Sequence, residues 1–252
     1  MAILPISDKN PLRRIHVAYV TWALIAGCII VFLFQLGLSE RAKFIFVHTF
    51  GAIPGSVFGL IQTPSEFPTW ATLLSHMFLH GGFMHLAGNM LFLWVLGDNV
   101  EDALGHARYV LFYSTCGILA ALTHGITNIT SITPMIGASG AISGIIGAYL
   151  VLHPKAPIKT LIWVFIVELP TWTVLGIWIV FQFSSAIMTA GSTGGGVAWW
   201  AHIGGLIAGV ILIIPLRRRD IPLFDGGATP QFSRGGPRIT MRPGPWSRRP
   251  KQ

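Results

Sequence analysis

The chain has 252 residues, of which 52% are hydrophobic and only 10% charged, with a net charge of +8. A soluble domain carries about 25% charged residues, so this balance excludes an ordinary water-soluble protein and indicates a polytopic membrane protein. More than half of the 17 Lys and Arg fall after residue 216, with no aromatic stacking platform among them, which argues against a nucleic-acid partner.

Residues 1–16 read as a short cytoplasmic N-terminus carrying Lys9, Arg13 and Arg14. No small-residue cleavage site follows an apolar run, so no removable signal peptide is expected. A membrane-crossing helix needs about 20 mostly apolar residues. Six stretches approach this: 17–38, 83–99, 107–126, 137–153, 170–188 and 198–216. The expected fold is therefore an all-α polytopic bundle of six transmembrane helices spanning residues 17–216. Its first loop, 39–80, is long and carries the apolar runs Phe44-Ile45-Phe46-Val47 and Val57-Phe58-Gly59-Leu60-Ile61, so it reads as lying partly in the membrane interface. The run 158–169 also looks interfacial, broken by Glu168 and Pro170. Residues 217–252 are basic and rich in Pro and Gly; such a tail buries no core, reads as disordered, and is attracted to anionic lipid.

An even number of spans puts both termini on one side. Lys9, Arg13, Arg14, Arg108, Lys155, Lys159 and Arg217 to Arg219 all fall on that side, while the third and fifth loops hold no Lys or Arg. The positive-inside rule then places both termini in the cytoplasm. Cys28 and Cys116 sit inside apolar stretches and suggest neither a disulfide nor a metal site.

Polar groups within a membrane are costly and mark function by default. Four stand out: His85 and Asn89 in the second span, Ser139 in the fourth and His202 in the sixth. All three spans run from outside to inside, and each residue lies near the start of its span. At 1.5 Å per residue, they share a depth band within roughly 12 Å of the outer surface. Ser139 sits in Gly137-Ala138-Ser139-Gly140, where small neighbours leave its hydroxyl uncrowded. The small-residue stripes Gly140, Gly144, Gly147 and His202, Gly205, Gly209 allow the fourth and sixth helices to approach closely, as a Ser139–His202 hydrogen bond requires. Serine becomes a nucleophile when a base takes its proton, and His202 is the candidate base. His85, Asn89 and the Ser139 amide are candidate donors to an oxyanion. No Asp or Glu lies in the outer halves of these spans, so the expected arrangement is a Ser–His dyad. The alternative is that each histidine only bonds between helices. Residues 191–196, Gly-Ser-Thr-Gly-Gly-Gly, lie just before His202 with little conformational bias and read as a lid.

These residues resemble the rhomboid family of intramembrane serine proteases, bacterial six-helix type. The matching stretches are His76-Met-Phe-Leu-His80-Gly-Gly-Phe-Met-His85-Leu-Ala-Gly-Asn89, Gly97-Asp-Asn-Val-Glu101, Gly137-Ala-Ser139-Gly140 and Trp200-Ala-His202-Ile-Gly-Gly205. Glu168-Leu-Pro170, Trp178 and Gln182 look like the family's fifth helix. The resemblance covers about residues 65–215. It implies Ser139 as nucleophile, His202 as base, and His85, Asn89 and the Ser139 amide at the oxyanion. It also implies cleavage of transmembrane-helix substrates near the outer face of a bacterial plasma membrane, no cofactor, and Glu101 as a structural hydrogen-bonder near the inner side. Two positions depart from the pattern. Ala71 stands where many relatives have Arg after Trp70, and Ser143 stands where many have Phe or Tyr stacked on the histidine. Ser143 either accepts from the second ring nitrogen of His202 and orients it, or bonds back to the Ser139 carbonyl. Two other functions compete: a catalytically silent rhomboid-like binder of membrane proteins, and a transporter with a His/Asn polar pathway.

Overall fold

The computed structural model describes residues 3–63, 65–188 and 197–225. In chain order these form β1 (Ile3–Asp8), α1 (Tyr19–Leu36), α2 (Glu40–Phe50), α3 (Pro54–Val57), α4 (Thr69–Ser75) and a 3-10 turn (His76–Phe78). There follow α5 (Phe83–Leu104), α6 (His106–Thr127), α7 (Ser139–Leu152), β2 (Pro157–Ile162), β3 (Phe165–Pro170), α8 (Thr171–Met188) and α9 (Trp199–Leu216).

A backbone inside lipid must satisfy its own hydrogen bonds, so the apolar runs become helices. Four of them, α1, α6, α8 and α9, are long and apolar enough to cross a membrane. A fifth path is bent: α4 with the 3-10 turn meets α5 at 85°. Helix α7 has only 14 residues, about 21 Å, less than the hydrocarbon thickness of about 30 Å. It is nonetheless buried along almost its whole length, with α5, α6, α8 and α9 packed around it. The protein is thus a helical, polytopic integral membrane protein with α7 as its central element.

The all-α expectation leaves out a three-stranded antiparallel sheet of order β1-β2-β3. Strands β2 and β3 form a hairpin that pairs Pro157 with Pro170 and Ile162 with Phe165, and β1 pairs along β2 with a register shift between Pro5 and Ser7. Ile158 and Thr160 are fully buried, the period of two that a one-sided strand requires. At the hairpin end, Trp163, Val164, Phe165 and Ile166 are all exposed.

Neither expected domain boundary is a break in packing. The Asp102 carboxylate accepts from the backbone N–H of Arg13, Arg14 and Ile15 at 2.7–3.0 Å. Asp8 Oδ2 accepts from Asn99 Nδ2 at 2.8 Å and from the Tyr149 hydroxyl at 2.7 Å. Glu101, fully buried, accepts from the N–H groups of Val20 and Thr21 and from the Thr21 hydroxyl. It therefore caps the first turn of α1, where free N–H groups favour an anion. Past α9, Arg218 N–H donates to the Ala103 carbonyl, and Phe224 and Asp225 donate to Val151 and Leu152. Arg14 pairs with Asp220 at 2.6 Å. The disordered tail expected from residue 217 therefore does not begin there: residues 217–225 are packed, because their backbone supplies donors to the inner ends of α5 and α7. Residues 226–252 and the expected lid at 191–196 lie outside the described residues.

Candidate active site

Ser139 opens α7. The approach to it is fixed by backbone pairing: Ala52 and Met135 exchange both hydrogen bonds, at 3.0 and 2.8 Å, and Gly137 N–H donates to the His76 carbonyl at 2.9 Å. Gly137 has φ +116°, a conformation that favours glycine. A methyl group there would also lie 2.6 Å from His85 Nε2 and 3.6 Å from Asn89 Nδ2. The side chains of His85 and Asn89, one turn apart on α5, thus converge two residues before Ser139. The Asn89 amide nitrogen is buried and has no partner among the described residues. A donor left unpaired inside a protein is destabilising, so this one is poised for an acceptor.

Helices α7 and α9 touch backbone to backbone. A methyl group on Gly205 would overlap the Gly140 carbonyl oxygen, and one on Gly209 would overlap that of Gly144. The stripe on α7 works differently. Methyl groups on Gly140 and Gly144 would strike Ala120 and Cys116 of α6, each at 2.6 Å. Gly205 and Gly209 on α9 thus admit α7, and Gly140 and Gly144 on α7 admit α6, while Gly147, where a methyl would lie 2.5 Å from the Leu206 carbonyl oxygen, again admits α9. At the end of this contact, His202 Nε2 lies 2.8 Å from Ser139 Oγ.

His202 is held on its other side by α8. Its Nδ1 lies 2.6 Å from Oε1 of Gln182, and both residues are buried. The ring centroid of Trp178 is 6.1 Å from that of His202, and Trp199 meets the imidazole edge-on at 5.9 Å. Aromatic neighbours therefore come from α8 and from the start of α9, not from position 143.

Of the two readings of Ser143, the back-bond is the one present: its hydroxyl donates to the Ser139 carbonyl at 2.7 Å, the i−4 bond of a serine within a helix, and Gln182 faces the ring nitrogen that the other reading gave to Ser143. The physical reason is local: a short hydroxyl in a helix finds the preceding turn's carbonyl before it finds a neighbouring helix. The contact of Gln182 with His202 was missed from the sequence. The available signal was a lone amide in an otherwise apolar span, four residues after Trp178, which falls under the same rule that singled out the histidines.

With this geometry in hand, comparison with known proteins gives one family. Residues 68–219 match the Rhomboid domain. "Rhomboid protein 1, mitochondrial" of Saccharomyces cerevisiae is 30% identical over 66% of this chain and 51% of its own length. "Rhomboid protease GluP" of Bacillus subtilis is 34% identical over 56% of this chain and 25% of its own. "Rhomboid protease GlpG" of Klebsiella pneumoniae is 30% identical over 50% and 41%. The chain thus spans about half or less of the length of these curated relatives. The domain match runs from α4 through α9 and includes Ser139, His202, His85 and Asn89, and this chain belongs to the rhomboid family.

Proposed function

We propose that this protein is an intramembrane serine endopeptidase in which Ser139 is the nucleophile and His202 the general base. The observation that carries the reading is the 2.8 Å approach of His202 Nε2 to Ser139 Oγ, within reach for direct proton transfer. Ser139 Oγ adds to the scissile carbonyl carbon as its proton passes to Nε2. The resulting oxyanion is received by Asn89 Nδ2, His85 and the Ser139 amide; the unpaired Asn89 donor supports this role. Collapse breaks the C–N bond, and His202 delivers its proton to the leaving amine. Water then repeats the sequence on the acyl-enzyme and releases the acid. No cofactor is needed.

The substrates proposed are single-pass transmembrane proteins, cut near the outer face of a bacterial plasma membrane. The distribution of Lys and Arg supports cytoplasmic termini, and names of relatives in Bacillus and Klebsiella support the protease reading. The basic tail is assigned to anionic lipid of the inner leaflet. The test is labelling of the purified full chain with a fluorophosphonate, together with cleavage of a single-pass helical reporter in proteoliposomes. Both are expected in the wild type and absent in Ser139→Ala and His202→Ala. Undiminished cleavage in Ser139→Ala overturns the proposal. A wild type that neither labels nor cuts favours the silent binder.

A further inference from the structure

Gln182 sits on the buried stripe of α8, with Thr171, Val174, Leu175 and Ala186. An amide among such neighbours inside a bilayer is unfavourable unless its polar atoms are engaged. Its oxygen lies 2.6 Å from His202 Nδ1. An amide oxygen only accepts, so the Nδ1 facing it must carry the ring proton. The neutral imidazole has one donor and one acceptor nitrogen. With the proton on Nδ1, Nε2 is the lone-pair nitrogen, and Nε2 is the atom that lies 2.8 Å from Ser139 Oγ.

From this geometry we infer that Gln182 is a positioning residue that fixes the tautomer and tilt of His202, filling with a neutral amide the place that a carboxylate holds in a three-membered serine site. The inference rests on the Ser139–His202 reading above. Three observations converge on it. No carboxylate is bonded to His202 among the described residues. Ser143, the other polar side chain within a turn of Ser139, is committed to the Ser139 carbonyl. Trp178, one turn before Gln182 on the same face of α8, packs towards the same imidazole, so α8 presents an acceptor and a ring together. The role has a chemical consequence. When Ser139 adds to its target, His202 becomes an imidazolium, and the Nδ1–H···O bond becomes charge-assisted and shorter. The contact therefore strengthens as the reaction proceeds, which is the property that speeds a chemical step and leaves binding unchanged.

The experiment uses the full chain in detergent with a fluorophosphonate, resolving the inactivation rate kinact from the binding constant KI. Gln182→Met keeps the size of the side chain and removes the strong acceptor. It is expected to lower kinact about 10- to 100-fold, the effect of a buried donor deprived of its acceptor, with KI within about twofold. Gln182→Glu restores an acceptor oxygen and is expected to recover most of kinact. Histidine 15N spectra of the wild type should show His202 protonated at Nδ1, and this readout holds whether or not a variant folds. A wild-type kinact in Gln182→Met, or a ring proton on Nε2 in the wild type, overturns the inference while Ser139-dependent labelling leaves the dyad standing. Labelling that persists in Ser139→Ala overturns both.

Discussion

Gly205→Ala tests whether the backbone contact of α7 and α9 sets the Ser139–His202 distance. The added methyl would overlap the Gly140 carbonyl oxygen and lie 2.9 Å from its carbonyl carbon and 3.3 Å from Ser143 Cβ. Carbon atoms rest at about 3.5–4.0 Å, and neither obstacle is the flexible end of a side chain, so α9 must retreat by about 1 Å. His202 is three residues away on the same helix and moves with it. The 2.8 Å contact with Ser139 then opens to about 3.8 Å, beyond the range of a good N···O hydrogen bond. A misplacement of this size lowers a rate by about 10²-fold, and overpacking lowers stability by about 1–3 kcal/mol. Fluorophosphonate labelling and thermal unfolding in detergent measure the two effects separately. Gly176→Ala is the matched control, since a methyl there meets nothing within 4 Å and should leave both unchanged. Labelling of Gly205→Ala at the wild-type rate, in a fully folded sample, would refute the idea that helix spacing sets the site.

Two further outcomes are expected. Ser143→Ala removes only the back-bond to Ser139 and should keep the labelling rate within about threefold, whereas Ser143→Phe, at a fully buried position beside Gly205, should lose it by overpacking; a tenfold loss in the alanine variant with unchanged melting would contradict the observed hydrogen bonding. Burial pushes the Asp8 carboxyl up from 3.8 to about 7. Between those values the folded protein keeps a proton that the unfolded chain has released, so this group's contribution makes stability fall as pH rises from about 4 to about 7 and level off above. Asp8→Asn should flatten that part of the melting-temperature profile, and an identical pH profile in the variant would show that Asp8 does not titrate there.

The apolar runs that become α1, α6, α8 and α9 were legible in the sequence because hydropathy is a local property: lipid forces any apolar run of sufficient length to satisfy its own backbone. Ser139, His202, His85 and Asn89 could be singled out for a related reason. A polar side chain in an apolar run is visible without knowing its neighbours, and helical rise converts its place in the run into a depth. Pairing across the chain had no such local trace. Strand β1 bonds to β2 across more than 150 residues, and the short run before α1 gave no sign that its N–H groups would find Asp102. Residues 217–225 read as tail because only the folded bundle exposes the carbonyls of Ala103, Val151 and Leu152 that hold them. The two serines of α7 make the same division within the site. Their spacing put both on one face, but which acceptor Ser143 would choose depended on whether another residue already held His202. That residue, Gln182, comes from α8, and only the packing of α8 against α9 brings its amide to the imidazole. Sequence determined which groups must be buried; tertiary structure decided which of them meet, because a buried polar group accepts whichever partner the packing of distant helices delivers.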